Sequence, residues 1–411
     1  NIFARNIILP NTINEKTYEI NERLSSNGKV IEELDVKKAK ISMQNAIKEG
    51  CTSAAIILLH GWKYKKHEKS LEKLAKSLNF VNVSVSHKTV PLMGLIGRAD
   101  TTVADAYLTP TLQKYARNIS KKFKKTKILF MQSSGGLALS KNFKGKDAVL
   151  SGPAGGVIAA VETNKQYKQF DGLIGIDMGG TSTDVFHYEK EYERSTENIV
   201  AGIRIKAPML VVNTIAAGGG SIIRFDGQKI SVGPNSAGAN PGPACYGLNG
   251  PLTITDCNFI LGKLNSSYFP KIFGSHANKK LNLKASKIAA EKLCNRIKSK
   301  TGKHINPIIL AKGASDIAVE NMANAIRHIS IQKGHDISNH ALVAYGAAAG
   351  QLACDIADAL EIKSIILNSQ SGLLSAYGMG HAKLKSIKNE TIDLDILEGF
   401  QMINRKFKSL E

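Results

Sequence analysis

An acidic residue, two consecutive glycines and several hydroxyl side chains follow one another between Asp177 and Thr183. Gly179 and Gly180 permit positive φ and a close approach of a ligand to the main chain. Successive amides of such a turn can point into one concavity, which binds anions such as phosphate. We therefore predict that Asp177, as an exposed cleft carboxylate, faces Mg²⁺ or its waters, and that Thr181, Ser182 and Thr183 add hydroxyls.

Two alternatives bear on this loop. It is not a Walker A loop, because no Gly-Lys-Ser/Thr follows the glycines. An ordinary Gly-Gly hairpin with a surface aspartate would have the same residues, and it stays open at this point.

The elements that must position this loop can be predicted from its flanks. Residues 172–176 are short and apolar, which is typical of a buried strand. Residues 181–188 are rich in β-branched and aromatic side chains, which predicts the next strand. Asp177 would then lie at a strand end, beside a tight turn.

The rest of the chain alternates predicted strands with predicted helices, which indicates an α/β fold with parallel pairing around residues 53–85. Pro110 is expected to break or restart the helix that contains it. The predicted strands are 53–60, 81–85, 127–131, 341–345 and 362–367. The predicted helices are 36–48, 65–78, 102–122, 284–301 and 309–330. Residues 151–157 are predicted to lead into a further helix that runs to about residue 163, and the 346–350 turn into one that ends near residue 360, with one more helix opening at 371–378.

Two glycine-dense segments, 216–221 and 232–246, interrupt this alternation. They contain too much glycine and proline for a helix or a long strand. Because they lie between ordered segments, we expect a shaped site loop here and not a linker.

Composition limits the classes of partner. The hydrophobic content of 43% is that of a globular protein, and no apolar run is long enough for a transmembrane helix. The net charge of +21 invites a nucleic-acid interpretation. However, the lysines are scattered over helix faces and aromatic residues do not interleave with them, so a general Lys/Ile/Asn bias explains the charge. We predict neither a nucleic-acid nor a membrane partner.

The five cysteines form no CxxC pair, no metal-ligand spacing and no disulfide framework. This pattern fits a reducing, cytoplasmic compartment. The chain begins without Met and stops just after a helical pattern begins, so we expect it to be a piece of a longer protein.

Several motifs together resemble the hydantoinase A/5-oxoprolinase family, in particular its ATP-hydrolysing 5-oxoprolinases. They are residues 104–110 (Ala-Asp-Ala-Tyr-Leu-Thr-Pro), 150–156 (Leu-Ser-Gly-Pro-Ala-Gly-Gly), 177–185 (Asp-Met-Gly-Gly-Thr-Ser-Thr-Asp-Val), 241–246 (Pro-Gly-Pro-Ala-Cys-Tyr) with Thr255-Asp256, and 269–274 (Phe-Pro-Lys-Ile-Phe-Gly). The resemblance implies an actin-like ATPase fold of two ribonuclease H-like halves. It also implies phosphorylation of a lactam oxygen by ATP, followed by hydrolysis of 5-oxoproline to glutamate.

The resemblance further implies roles for particular residues. Asp177 and Thr181 would be catalytic, with Asp177 as the Mg²⁺ ligand. ATP would be bound by Gly179, Gly180, Thr181 and Ser182, by Gly218, Gly219 and Gly220 in the same cleft, and by Gly346 and Gly350 against the adenosine. A hydantoinase B-type subunit or domain would be the protein partner, and a cyclic amide the substrate.

Two departures from the family pattern are visible. The family's first phosphate loop, of the Asp-Gly-Gly-Thr type, lies upstream of the residues present here, so we expect the fold to lack that N-terminal portion and the chain alone to bind ATP weakly. The family's Gly-Gly-Ala-Gly-Gly-Gln-His turn reads here with Ala347, Ala349 and Leu352 in place of two glycines and the histidine. Two added methyls and a lost imidazole are expected to crowd or weaken a nucleotide contact.

The resemblance predicts a domain division. Residues 1–90 would be the end of an N-terminal domain, 91–395 the ATPase core, and 396–411 the start of a C-terminal region. The alternatives are an ATP-dependent hydantoinase, an acetone carboxylase-type subunit, or a non-catalytic nucleotide-binding fragment.

Overall fold

A computed structural model describes residues 12–167 and 170–408 of the chain. Residues 1–11 of the predicted N-terminal domain and 409–411 of the predicted C-terminal region lie outside the described residues. The described helices are α1 (Val36–Lys48), α2 (Lys66–Ser77), α3 (Ser86–Thr89), α4 (Leu95–Lys122), α5 (Gly145–Ala148), α6 (Ser151–Tyr167), α7 (Ile254–Ile260), α8 (Leu283–Thr301), α9 (Pro307–Ile329), α10 (Ala353–Ala359), α11 (Leu374–His381) and α12 (Ile396–Lys408).

The described strands are β1 (Arg23–Leu24), β2 (Val30–Glu32), β3 (Ser53–Ile56), β4 (Asn82–Val85), β5 (Leu129–Met131), β6 (Leu137–Leu139), β7 (Gly172–Met178), β8 (Thr183–Glu189), β9 (Glu191–Tyr192), β10 (Arg194–Ser195), β11 (Asn198–Val200), β12 (Ile203–Ile205), β13 (Met209–Leu210), β14 (Asn213–Ile215), β15 (Ser221–Phe225), β16 (Ile230–Ser236), β17 (Ala341–Tyr345) and β18 (Ser364–Ile366). Among the described residues, no helix is both long and apolar enough to cross a membrane.

These elements form two compact units. The first contains the described residues of Asn1–Ser151, Ser195–Met209 and Lys383–Glu411, and the second contains Gly152–Arg194 and Leu210–Ala382. The predicted division at residues 90 and 395 stays a prediction.

A six-stranded mixed sheet forms the centre of the second unit. Its strand order is β14-β8-β7-β17-β18, and β9 pairs with β8. β7 pairs in parallel with β17 and antiparallel with β8, as expected for the predicted hairpin. β17 is buried along its whole length and β7 along nearly all of it, which explains the apolar runs at residues 341–345 and 172–176.

Helices cover one face of this sheet and share its apolar core. Residues of α9 at spacings of three and four are buried there, among them Leu310, Ala314 and Met322. The start of this helix follows from the local sequence, because the Asn306 side chain accepts a hydrogen bond from the Ile309 amide and Pro307 occupies the first turn. The predicted helix at 309–330 is thereby confirmed and begins two residues earlier.

The prediction of no long strand in the glycine-dense segments is wrong. β16 is seven residues long and pairs antiparallel with β15, although it contains Gly233 and Pro234. Ser236 stands opposite Ser221 and Val232 opposite Ile223, so three residues of β16 bulge out against one residue of β15. The bulge removes Pro234 from the regular ladder, where its missing amide would leave a gap.

In the first unit, β3 and β4 pair in parallel around α2, as predicted. β3 ends at Ile56, four residues before the predicted end. Beyond Ile56, side chains satisfy the backbone groups that a neighbouring strand would otherwise bind. The Leu58 amide donates to Glu68 Oε1 at 2.9 Å, and the Leu59 carbonyl accepts from Arg98 Nη2 at 2.9 Å. These side chains replace the strand partner that Leu58 would otherwise need.

The predicted break at Pro110 is also wrong, since α4 runs without interruption from Leu95 to Lys122. A proline inside a helix leaves the carbonyl four residues earlier without its amide donor. Here that carbonyl belongs to Ala106, and it accepts a hydrogen bond from Asn82 Nδ2 at 3.4 Å. A neighbouring strand therefore replaces the lost donor.

Candidate nucleotide and metal site

The β7–β8 hairpin positions the residues from which the sequence argument started. Met178 and Thr183 form its last pair, and residues 179–182 form the turn. The Gly179 amide donates to the Ser182 carbonyl at 3.0 Å and closes this turn. Thr181 and Gly180 are exposed at the tip, and Ser182 is half-buried.

The Gly218–Gly220 segment packs backbone to backbone against this turn. The Gly219 amide donates to the Gly179 carbonyl at 3.0 Å, and the Gly220 amide donates to the Gly180 carbonyl at 2.7 Å. A Cβ at Gly218 would lie 2.8 Å from the Gly179 carbonyl oxygen. Glycine is therefore required here by the close approach of two main chains.

Gly346 brings a third segment to the same place. Its φ is +85°, and a Cβ on it would lie 2.5 Å from Asp177 Oδ1. The Ala348 amide also donates to the Met178 carbonyl at 2.9 Å. The predicted segments at 179–182, 218–220 and 346 are thus brought together, whereas Gly350 is exposed and nothing lies within 4 Å of a Cβ placed on it.

The structure shows which amides of this cluster are available to an anion. Those of Gly179, Gly219 and Gly220 are already bonded to carbonyls, and the Gly218 amide donates to Ser221 Oγ at 2.8 Å. Among the described residues, the amides of Gly180, Thr181 and Ser182 have no hydrogen-bond partner. The anion-binding amides are therefore those of the turn tip, and the 218–220 segment supports them from behind.

One predicted hydroxyl does not take part. Thr183 is fully buried, and its Oγ1 donates to the Ala217 carbonyl at 2.5 Å. Its role is to hold the 217–221 segment against β8. The Thr181 side chain, by contrast, is exposed at the turn.

Asp184 was not predicted as a site residue, although it lies in the same motif. Asp177 and Asp184 are directly opposite each other in the β7–β8 register, so both side chains lie on one face of the sheet. The Thr214 hydroxyl donates to Asp184 Oδ1 at 2.6 Å from the next strand. The signal was available, because the two aspartates are placed symmetrically about the turn.

The two carboxylates disturb each other's titration. Burial, together with the charge of Asp184, raises the pKa of Asp177 to about 6. Burial also raises the pKa of Asp184, against the hydrogen bond from Thr214, which lowers it. Asp177 is half-buried and not exposed as predicted. These two neighbouring carboxyl groups are difficult to ionise together. A cation bound beside them would therefore be attracted by both and would stabilise their ionised forms.

Tyr345 completes the surroundings of the pair. It lies on β17, where it pairs with Asp177 of β7, and it is almost fully buried. Burial, and then the charges of Asp177 and Asp184, raise the pKa of its hydroxyl well above its usual range. Tyr345 is therefore neutral at physiological pH.

Asp256 organises the glycine- and proline-rich 241–246 segment. It is fully buried, and its carboxylate accepts the amides of Ala244 at 3.0 Å and Cys245 at 2.7 Å and the Ser286 hydroxyl at 2.7 Å. The preceding residue, Thr255, donates both its amide and its hydroxyl to the Gly219 carbonyl at 2.8 Å. This motif therefore supports the candidate site through its backbone.

The three departures from the family turn lie in different environments. Ala349 and Leu352 are buried in the apolar core of the unit, and Ala347 is exposed. The methyl of Ala349 and the side chain of Leu352 thus fill the core. Of the three departures, Ala347 is the one that presents its methyl at the surface.

Comparison with known proteins adds a family context to this geometry. The family model described as Hydantoinase/oxoprolinase matches residues 98–388, and the model for the Hydantoinase/oxoprolinase N-terminal region matches residues 1–78. The chain is 38% identical over 410 residues to 5-oxoprolinase 1 of Arabidopsis thaliana, covering 93% of this chain and 32% of the relative. The chain thus spans about a third of the length of that relative.

Two solved structures are similar in fold. The ATP-dependent caprolactamase from Pseudomonas jessenii matches with a TM-score of 0.79 and 28% identity, over 95% of this chain and 58% of that one. A nucleotide-free structure of acetone carboxylase matches with a TM-score of 0.73 and 24% identity, over 95% of this chain and 57% of that one.

Proposed function

Because the chain belongs to the hydantoinase/oxoprolinase family, we propose that it is the nucleotide-binding part of an ATP-dependent hydrolase that opens cyclic amides. The proposed substrate is 5-oxo-L-proline and the proposed product L-glutamate. Similarity to a protein named 5-oxoprolinase over 93% of this chain supports this substrate, and similarity to an ATP-dependent caprolactamase supports the wider class of lactams.

The observation that carries the proposal is the pairing of Asp177 with Asp184 beside the glycine turn. Carboxylate oxygens are preferred ligands of Mg²⁺, which protein sites often share with substrate phosphates. The raised carboxyl pKa of both residues indicates that neither has enough compensating positive charge nearby. These residues fit Mg²⁺, and the bound ion would supply charge neutralisation for the phosphates.

The turn tip fits the phosphates themselves. The amides of Gly180, Thr181 and Ser182 and the exposed Thr181 hydroxyl offer donors without other partners among the described residues. Donors held in a rigid turn need no reorganisation when charge shifts during phosphoryl transfer. Gly218, Gly219 and Gly220 hold this turn in place, and Gly346 leaves room beside Asp177.

The proposed chemistry overcomes the weak electrophilicity of an amide carbonyl. The γ-phosphoryl group of ATP passes to the lactam oxygen and ADP leaves, which turns that oxygen into a leaving group. Water then adds to the carbon, and the ring C–N bond breaks with protonation of the nitrogen, which leaves an acyl phosphate. A second water molecule hydrolyses this acyl phosphate to the carboxylate and inorganic phosphate. One ATP and two water molecules are consumed for each ring opened.

The finer parts of the proposal rest on the family resemblance. They are an actin-like ATPase fold, adenosine bound against residues 346–350, a hydantoinase B-type partner and a cytoplasmic location. The second candidate, an acetone carboxylase-type or hydantoinase activity, rests on the same family resemblance.

Product analysis tests the proposal. The protein that contains this chain is incubated, alone and together with a hydantoinase B-type partner, with ATP, Mg²⁺ and either 5-oxoproline, caprolactam, hydantoin or acetone with bicarbonate. We expect ADP and glutamate in equal amounts from 5-oxoproline. Turnover of another of these compounds in preference to 5-oxoproline would replace the proposed substrate, and ATP-independent ring opening would contradict the mechanism.

A further inference from the structure

A second cluster of ligating side chains lies in the same unit as the candidate nucleotide site but at a different place on the sheet. It contains His187 and Glu189 on β8, Glu193 after β9, and His335 and His340 before β17. His187 is three residues beyond Asp184 along β8, which corresponds to about 10 Å. An odd spacing also places it on the opposite face of the strand.

The register of the sheet builds this cluster. Glu189 lies opposite Gly172 on β7, and His340 directly precedes β17, whose first residue pairs with Leu173. A Cβ at Gly172 would lie 2.3 Å from His340 Nε2. The missing side chain of Gly172 therefore leaves the space in which the His340 imidazole lies beside the Glu189 strand.

Two imidazoles converge in this space. His187 Nε2 and His340 Nε2 are 3.0 Å apart, and both side chains are almost completely buried. Two nitrogens bound to one tetrahedral zinc at roughly 2.0–2.1 Å would be about 3.3 Å apart. The observed separation differs from this value by only a few tenths of an ångström, and a Glu189 carboxylate oxygen lies within 4.8 Å of the ligand atoms of both histidines.

The neighbouring carboxylate orients the first imidazole as metal ligands are commonly oriented. His187 Nδ1 is 2.6 Å from Glu193 Oε1, and Lys333 Nζ is 3.1 Å from Glu193 Oε2. A carboxylate accepts hydrogen bonds, so His187 Nδ1 donates to Glu193, and in the neutral imidazole Nε2 carries the lone pair that faces His340. A carboxylate–histidine–metal arrangement of this kind fixes the tautomer and raises ligand basicity.

Two further features complete the cluster. Among the described residues, His340 Nδ1, on the side of the ring away from His187, is buried without a hydrogen-bond partner. The His335 ring packs against the His187 ring in a tilted arrangement with ring centroids 4.2 Å apart, and His335 Nδ1 is 3.4 Å from Glu189 Oε2, which orients that carboxylate. The cluster opens to solvent at Glu189, whose side chain is 37% exposed.

We propose that His187 Nε2, His340 Nε2 and a Glu189 carboxylate oxygen form a binding site for a divalent transition metal of the zinc class. Imidazole and carboxylate ligands suit Zn²⁺, and three protein ligands leave the fourth position to water. Glu193 and His335 are positioning residues. The metal would join β8 to the segment before β17 and so tie together the strands on both sides of β7, on the face opposite Asp177.

Zinc titration of the full chain tests this site. The chain is first treated with a chelator to remove bound metal and is then titrated with Zn²⁺ alone in a calorimeter. Thermal unfolding is the second readout. We expect one zinc per chain and a higher unfolding temperature with zinc than without. Co²⁺ should give visible absorption bands without a thiolate charge-transfer band, because no cysteine belongs to the cluster. Absence of saturable binding, or a thiolate band, would overturn the proposal.

Substitutions separate the ligands from their surroundings. Glu189→Gln changes a partly exposed side chain almost isosterically and should raise the zinc Kd about 100-fold or more, as should His340→Gln. Glu193→Gln should raise it about 10- to 100-fold, as for other orienting carboxylates. Glu191→Gln, an exposed glutamate two residues from Glu189, is the matched control and should bind as the parent does.

The pattern of losses decides the assignment even if one variant folds poorly. Unfolding temperatures measured without metal show whether each variant is folded, and Glu189→Gln needs no core rearrangement. Equal zinc affinity in Glu189→Gln and Glu191→Gln would overturn the proposal. Loss of zinc binding in His335→Gln and Glu193→Gln, with unchanged zinc binding in His340→Gln, would also overturn the proposal. Such a result would place the metal on the other side of His187.

Discussion

Asp177 and Asp184 stand directly opposite each other on neighbouring antiparallel strands, and burial raises the carboxyl pKa of both. Like charges at such a cross-strand position are destabilising unless something compensates them. The pair therefore reduces the stability of the free protein at neutral pH, and a bound cation would reverse this effect.

The first prediction concerns stability as a function of pH in the absence of Mg²⁺ and nucleotide. The pKa of Asp177 is raised from 3.8 to about 6 on folding, so the native state binds this proton more tightly than the unfolded state. The stabilisation of the native state by this proton is fully present below about pH 4 and is lost as the pH rises through 6. Asp177→Asn should therefore be more stable than the parent above pH 6, by about 1–3 kcal/mol, and equally stable near pH 3.5.

Urea denaturation across pH 3.5–8 measures this difference. Asp226→Asn is the matched control, because the carboxyl pKa at this position is shifted in the opposite direction. The backbone amides of Lys229 and Gln228 lower the pKa of the exposed Asp226 carboxyl. This variant should lose stability at neutral pH and show no difference at low pH. A stability of Asp177→Asn that follows the parent at every pH would contradict the raised pKa.

The second prediction concerns catalysis by the protein that contains this chain. Asp177→Asn and Asp184→Asn each remove one charge at the proposed Mg²⁺ position while keeping shape. Turnover of ATP should fall by about 10² or more in each, a size typical of losing one electrostatic stabiliser of a transition state. Asp171→Asn, an exposed aspartate just before β7, should leave turnover unchanged.

Steady-state ATP hydrolysis as a function of Mg²⁺ concentration checks this prediction. The two variants should also require more Mg²⁺ for half-maximal activity. Full activity in both variants would favour the alternative in which the aspartates only belong to an ordinary hairpin.

The third prediction uses the close approach of Gly346 to Asp177. An alanine there would have a positive φ and a Cβ 2.5 Å from Asp177 Oδ1. Gly346→Ala should destabilise the fold by about 1–3 kcal/mol and weaken the binding of ATP with Mg²⁺. Gly350→Ala is the matched control for stability, since nothing lies within 4 Å of the added methyl.

Thermal unfolding and nucleotide titration of the two alanine variants provide the comparison. A Gly350→Ala variant that loses as much binding as Gly346→Ala would show that residue 350 contacts the nucleotide. An unaffected Gly346→Ala variant would remove this segment from the site.

The fourth prediction concerns the uninterrupted helix α4. Asn82→Ala removes the donor to the Ala106 carbonyl and should cost about 1 kcal/mol of stability. In a Pro110→Ala background, the new amide of residue 110 can bond to Ala106 itself, so the same substitution should cost less. Additive effects in this double-mutant cycle would show that Asn82 does not compensate for the proline.

Local sequence determined those elements whose signals lie within a few residues. α1 is at residues 36–48 as predicted, and α8 and α9 begin within two residues of their predicted starts, because apolar periodicity and Asn side-chain caps are local features. The β7–β8 hairpin, its glycine turn and the family membership were likewise readable from one short motif.

Tertiary structure alone decided which groups meet. Pro110 stays inside a helix because Asn82 from a strand replaces a donor, and Pro234 stays in a strand because a bulge takes it out of the ladder. From the sequence, the amides of Gly219 and Gly220 could donate to a bound anion or to the neighbouring turn. The packed backbone shows that they donate to carbonyls of the turn. His187 and His340 are 153 residues apart in sequence and 3.0 Å apart in space. No local pattern encodes such a contact, because it follows from the order and register of strands across the sheet.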